Sequence, residues 1–547
     1  MVPSAIHTSR LAAAIATALI ASGSHAATLT VDTESDSPDS TACTLRNALK
    51  AVSDGSILAV PGCSADVSGD PFGTNDTILF APMISMITLA QGELAVAAPA
   101  VTISASGQMI VAGDGSRILS VGAGATLTVN NLVLTNGKTA ENGGGVSVAA
   151  GANAIFTGCS FYGNTAAAYG GAIYAAPSSM VAIVDSNFTF NYALSGGALF
   201  ASNSNVTVTN SSLVYNTAYS RGGGIYANST TLTLDTATIQ RNSAVSYSGG
   251  VAVIGGNLAM IKSIVSGNNG GTAGGLYLLA ADANIGTSTI TGNFPVCGNF
   301  CAGAISILST KLSVTDSTLS GNLAAGRANY VAGAAIVFGS AATFVNTTVS
   351  GNVGAGTAEA SGAFWNDSGG GTRGLTLINC TVSNNTGAAV AGAAAGGILL
   401  GTTNFSPSLG DYSSLILRNS IVSANAPAHT DITLSPTVLT LEASYSVLGS
   451  AQNISAFNSP GDHNIFSDSP RLGPLQDNGG LTKSQALLPD SPALRTGSPL
   501  VAVFAAAPLN FDQRGFGFLR TFGNTVDIGA FEDQGDRLFA SGLDPTP

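Results

Sequence analysis

The chain has 547 residues, 68 of them glycine, with only 9% charged residues and a formal net charge of −12. That length ordinarily means several globular domains, and the acidic balance excludes nucleic acid as a partner. With so few charges, the surface must come mainly from Ser, Thr and Asn, which suits an extracellular surface or a neutral polysaccharide better than a polyanion. Residues 1–26 read as a secretory signal peptide, because Arg10 precedes the apolar run 11–21 and Ser24-His25-Ala26 offers a small-x-small cleavage site. That run is too short to cross a bilayer and no later stretch is long enough, so no integral membrane span is expected after cleavage near Ala27.

Residues 27–75 form the predicted N-terminal cap. TLTV at 28–31 is strand-like, and CTLRNALKAV at 43–52 places Leu45, Ala48, Leu49 and Val52 at helical spacing. Cys43 and Cys63 flank this segment and are expected to pair in an exported chain. CTLRNAL, NDTILF at 75–80 and GDGSRIL at 113–119 resemble the N-terminal module of bacterial secreted β-helix proteins named after a Cys-Ser-Leu-Arg-Glu-Ala segment. Thr44 and Asn47 stand where that family has Ser and Glu, so no role for the missing carboxylate carries over.

Residues 76–463 are organised around one repeated pattern. Anchor asparagines recur at Asn164, Asn191, Asn216, Asn242, Asn268 and Asn293, then at Asn322, Asn352, Asn385 and Asn425. A period in the twenties over many copies means stacked structural repeats. Apolar residues stand three before each anchor (Phe161, Leu213, Ile290) and, in most copies, eight and ten before it (Val206/Val208, Leu232/Leu234). A gap of two is the strand period. The residue five before is always small, and six before it Asn or Asp recurs, as a bend with positive φ prefers.

Each repeat therefore reads as three short strands, and the fold class is all-β: a right-handed parallel β-helix, a pectin-lyase-like solenoid with an N-terminal cap and a small C-terminal domain. The anchors are expected to form an internal Asn ladder. About fourteen coils at about 4.8 Å each would make a rod roughly 65–70 Å long. The coil around Leu127, Val129, Leu132 and Asn136 misses the template by one residue, which suggests a bulge or a changed turn. The GGAI and FxxN elements resemble the repeats of chlamydial polymorphic outer-membrane proteins, a likeness that implies fold more than role and admits the cell outer membrane as a location.

The C-terminal region, 464–532, contains LGPLQDNGGLT, LLPDSPALRTG, FDQRG and DIGAFE in that order. The series resembles the choice-of-anchor Q domain that follows β-helices in exported bacterial proteins; Arg495 departs from its pattern. The tail 533–547 resembles a short terminal motif of proteobacterial secreted proteins through RLFASGLD.

Polysaccharide lyases and hydrolases need grouped carboxylates, yet Asp185, Asp235, Asp282 and Asp316 fall one per coil, six, seven, eleven and six residues before their anchors. His429 and His463 have no recognisable partner, and no catalytic residue, metal site or cofactor is expected. Cys297 and Cys301, in the loop CGNFC, form a second disulfide candidate, while Cys159 and Cys380 share a column too far apart to bridge and are expected to be small buried fillers. Turns lengthen between 293 and 412, and inserts of a solenoid collect on one side that often binds. The binding candidates there are Phe294, Arg327, Tyr330, Trp365, Asp367, Arg373, Phe405 and Tyr412. Shortening 353–361 and 398–414 is expected to leave the rod folded. The column Tyr174, Phe200, Tyr226 and Trp365 is a second candidate, with its facing open. The sequence thus describes an exported, non-enzymatic surface or adhesion protein, secreted or at the cell surface, whose loops meet glycans or molecules of host or neighbouring cells. The alternative is a polysaccharide lyase or glycoside hydrolase on the same β-helix.

Overall fold

In each coil three short strands follow one another, and each pairs in parallel with the same strand of the next coil. This is what period-two columns at fixed offsets from the anchor require. The computed structural model describes residues 26–58, 60, 62–63, 72, 75–97, 99–113, 115–296, 298–367, 373–401, 413–427, 430–434, 438–449, 462–498, 500 and 509–535. Residues 1–25 of the expected signal peptide 1–26, Cys297, Phe405, Tyr412, His429 and the tail from 536 lie outside the described residues. Two compact units divide the chain, Met1–Ser212 and Leu213–Pro547, and both are parallel β-solenoids.

In the first unit the longest strands run through Asp76–Phe80, Ala100–Ser104, Thr126–Asn130, Asn153–Thr157, Met180–Val184 and Asn205–Thr209, in register. Thr28–Val31 pairs in parallel with Asp76–Phe80, so the cap supplies a rung of the sheet as well as its cover. The helix Leu45–Asp54 forms where the spacing predicted it, burying Leu45, Ala48, Leu49 and Val52. Thr44 caps it by accepting from Asn47 N, and Gly55 closes it in the left-handed conformation at φ 62°. Arg46 ties the cap to the next coil: it pairs with buried Asp36 at 2.9 Å and donates to the carbonyls of Gly92 and Glu93. Cys43 and Cys63 are disulfide-bonded.

The coil at Leu127 needs no bulge. Leu134, not Leu132, pairs with Phe161, so the anchor column passes through Gly137, and Leu127 and Val129 hold the usual ten and eight places before it. Gly137 N donates to Asn164 Oδ1 at 2.9 Å, and a Cβ there would lie 2.0 Å from the Gly144 carbonyl oxygen. The coil has lost its asparagine while keeping its register. The pattern misled because Asn136, one place earlier, is an exposed turn residue with φ 59°.

The ten anchor asparagines are buried. From Asn216 to Asn425 each side-chain oxygen, after the first, accepts from both the N–H and the Nδ2 of the preceding anchor, as Asn242 does from Asn216 at 2.8 and 3.0 Å. The last rung is a carboxylate, with Asp431 Oδ1 accepting from Asn425 N and Nδ2 at 2.9 and 2.7 Å. The small column five before the anchor makes a second ladder of hydroxyls, for example Ser263 N to Ser288 Oγ at 3.1 Å and Ser288 N to Ser317 Oγ at 3.0 Å. The column six before it is left-handed throughout, including Asp185, Asn210, Asp316, Asn346, Asn379 and Asn419. Val206, Val208, Leu213 and Asn216 are all buried. Cys159 and Cys380 are free and buried.

In the second unit Ile465–Phe466 still pairs in parallel with Val447–Leu448, so coiling continues past residue 463. The C-terminal region then lies along three coils. Thr318–Ser320, Thr348–Ser350 and Thr381–Ser383 are buried on both faces beneath it, whereas Ile264–Ser266 and Thr289–Thr291 keep their outer residues partly open. Gln513 grips this Thr/Ser column by donating to Thr318 Oγ1 at 3.0 Å and accepting from Thr348 Oγ1 at 2.5 Å; Gln485 accepts from Ser383 Oγ at 2.6 Å. Behind it Arg514 pairs with Asp512 and lies between the rings of Phe518 and Phe531, and Arg520 pairs with Glu532 at 3.0 Å.

Candidate functional site

Between 300 and 395 the lengthened turns of the second unit carry strands of their own. Phe300–Ala302, Tyr330–Ala332, Glu359–Ser361 and Ala394–Ala395 form a four-stranded parallel sheet, and Leu323–Ala325, Val353–Gly356 and Thr386–Ala389 form a three-stranded one. Their small apolar side chains close over one another: Cys301, Ala324, Ala328, Val331 and Ala360 share a buried cluster. Cys301 is disulfide-bonded. Shortening 353–361 would therefore cut strands of both sheets, and shortening 398–414 would remove the buried core strand Ile398–Leu400. The expectation of dispensable loops fails because Gly- and Ala-rich turns can stack on their own copies as readily as other strands do.

This outer layer decides the aromatic column. Tyr174 pairs with Phe200, and Ile336, Trp365 and Leu399 follow one another in register in the second unit. The column faces away from the coil interior and is roofed. In the first unit Tyr169 stacks on Phe200 at 4.5 Å; in the second Tyr247 packs on Tyr277 at 4.5 Å, and Phe300 and Tyr330 lie over Trp365. Tyr277 also belongs to the column, two coils on from Tyr226 through Ala252.

The binding candidates separate accordingly. Trp365 is 0% exposed and Asp367 is buried, so neither presents itself to a ligand as expected. Trp365 Nε1 donates to Glu359 Oε2 at 2.7 Å. Burial raises the Glu359 pKa, with Trp365 opposing and Asp367 adding to the rise. Tyr330 is half-buried, stacked on Phe300 at 4.9 Å. Phe294, Arg327 and Arg373 are exposed.

The carboxylates are dispersed. Asp185 accepts from Asn210, Asp235 from Thr236, and Asp282 is exposed. Burial pushes Asp316 up to about 6, against the bond it accepts from Asn346 at 3.1 Å. Burial likewise carries Glu532 up to about 8, with Arg520 opposing. Among the described residues no group of three or more His, Cys, Asp and Glu side chains could hold a metal. His463 stacks on Tyr445 at 4.5 Å.

An open groove of about 390 Å³ is lined by Tyr215, Arg241, Asn242, Ser243, Gly267, Asn269 and Phe294. It flanks the ladder, between the residues just before and just after the anchors. Arg241 donates to the Tyr215 hydroxyl and lies 5.5 Å from that ring's centroid. Gly267, at φ 62°, occupies the place that Tyr215 and Arg241 hold in the preceding coils and adds no side chain of its own; the Arg241 Cγ lies 3.4 Å from where its Cβ would stand. Of this group the sequence singled out Phe294 as a binding candidate and Asn242 as a ladder anchor; the others stand beside the ladder at places whose residue type changes from coil to coil.

With parallel coils, inward columns and the Asn ladder in place, the architecture is a β-helix. Residues 100–236 match the family model described as a right handed beta helix region. No curated protein matches the chain. No helix among the described residues is long and apolar enough to cross a membrane.

Proposed function

We propose that the protein is exported to the bacterial exterior and serves in attachment, secreted or held at the cell surface, by binding glycans or other cell-surface molecules without turning them over. The observation that carries this reading is how the second unit distributes its side chains. Its perturbed acids hold the structure: Asp316 beneath the C-terminal region, Glu359 against Trp365, and Glu532 against Arg520. Phe294 and Arg327 are exposed in the turns that carry the added sheets, and Arg373 is exposed in the turn before Gly374–Ile378. Export is supported by the Cys43–Cys63 disulfide, since such bonds persist in oxidising compartments.

The test uses beads coated with the purified protein and challenged with a panel of bacterial and plant polysaccharides. Retention should fall when Phe294→Ala, Arg327→Ala and Arg373→Ala are combined, with the fold unchanged by circular dichroism. Equal retention by the triple variant would remove this side from the account.

A further inference from the structure

The groove beside the ladder has a composition that selects its ligand. Tyr215 and Phe294 are 40% and 44% exposed, large fractions for such rings. They stand three coils apart, about 14 Å along the stack, with Gly267 between them adding no side chain to the floor. Between the rings lie an alcohol, Ser243, an amide, Asn269, and the guanidinium of Arg241. Asn269 Oδ1 is buried without a hydrogen-bond partner. The one formal charge already donates to the Tyr215 hydroxyl and packs on its ring.

We propose that this groove binds a neutral glycan, an extended pyranose chain that crosses three coils from Tyr215, in the column before the anchors, to Phe294, in the column after them, with a ring on each. The argument is one of matched surfaces. A pyranose presents an apolar C–H face and a rim of hydroxyls, which fits exposed aromatic faces with amide, alcohol and guanidinium groups between them. The advance from coil to coil is close to the advance per ring of an extended sugar chain, so successive rungs fall near successive rings. An acidic polymer is disfavoured, because the groove offers a single cation already engaged and the whole chain carries a net charge of −12. The inference deepens the attachment reading by naming the ligand class and where it lies, and Phe294 is common to both.

The test is calorimetric titration of the purified full chain with cellohexaose, laminarihexaose and xylohexaose, with oligogalacturonate as the anionic control. At least one neutral oligosaccharide should bind, and Tyr215→Ala and Phe294→Ala should each weaken it about tenfold, the loss of roughly one stacking contact. Gly267→Asn supplies a variant that spares both rings. Asn384 holds the same column at φ 57°, so asparagine tolerates that backbone, and its side chain would enter the groove and abolish binding with the fold intact. Binding of oligogalacturonate alone, of no neutral oligosaccharide, or undiminished binding by Gly267→Asn would each overturn the inference. Retention of a polysaccharide on coated beads that survives Gly267→Asn but is lost in the Phe294, Arg327 and Arg373 triple variant would leave attachment standing and remove the groove from it.

Discussion

Replacing Asn242 by Ala isolates what one rung of the ladder contributes. The side chain accepts from Asn216 N at 2.8 Å and Asn216 Nδ2 at 3.0 Å, and donates to Leu213 O at 2.8 Å and Asn268 Oδ1 at 3.1 Å. Two of those partners keep other bonds: Asn216 Nδ2 reaches Val214 O, and Asn268 Oδ1 still accepts from Asn242 N at 2.9 Å. Asn216 N and Leu213 O are the groups left buried without these bonds. At about 1–3 kcal/mol each, the expected loss is roughly 2–6 kcal/mol. Solenoids open locally, so the loss should appear as faster hydrogen exchange in peptides covering 213–216 and 238–269, with distant coils unchanged. Asn242→Asp is the control. It keeps both acceptances but loses both donations and faces Asn268 Oδ1 with a carboxylate oxygen, so it should be at least as damaging. A loss below about 0.5 kcal/mol in Asn242→Ala would refute the ladder as a source of stability.

Gly137→Ala should destabilise the first unit by more than about 2 kcal/mol, read from the urea midpoint, because a Cβ would lie 2.0 Å from the Gly144 carbonyl oxygen. Replacing Cys43 and Cys63 by Ser should cost about 3 kcal/mol for a loop of 20 residues and loosen the cap first, while Cys159 and Cys380 should react with alkylating agents only after denaturation. Asp316 has a folded pKa of about 6 against an ordinary value of 3.8, so its contribution to stability is fully present below about pH 4 and lost as pH rises through 6. Thermal midpoints between pH 4.5 and 7.5 should therefore fall less steeply in Asp316→Asn than in the natural chain.

The coil stack was legible because buried positions recur at fixed offsets, so Val206, Val208, Leu213 and Asn216 announce one inward surface. The same reasoning misplaced the coil at Gly137, where a turn asparagine stood one place from the column and the true rung carried no side chain. Asp431 was invisible for a different reason. The ladder's end needs only an acceptor, and it is supplied from six residues further on rather than from the next coil. The outer sheets were read as loops because Gly and Ala mark no periodicity, and the roofed aromatic column was ambiguous because both faces of its strands are covered. Of the candidate binding residues, exposure could not be foretold for Trp365 and Asp367, since their cover comes from those unrecognised strands. The groove escaped because Tyr215, Arg241 and Gly267 share a place without sharing a chemistry.

The measurement closest to the central claim is prolonged incubation of the purified chain with a polysaccharide it retains, followed by recovery of the sugar and comparison of its length distribution and chain ends. Attachment without turnover predicts stoichiometric retention and an unchanged distribution. Shortened chains carrying new reducing or unsaturated ends would contradict it and make the protein a hydrolase or a lyase.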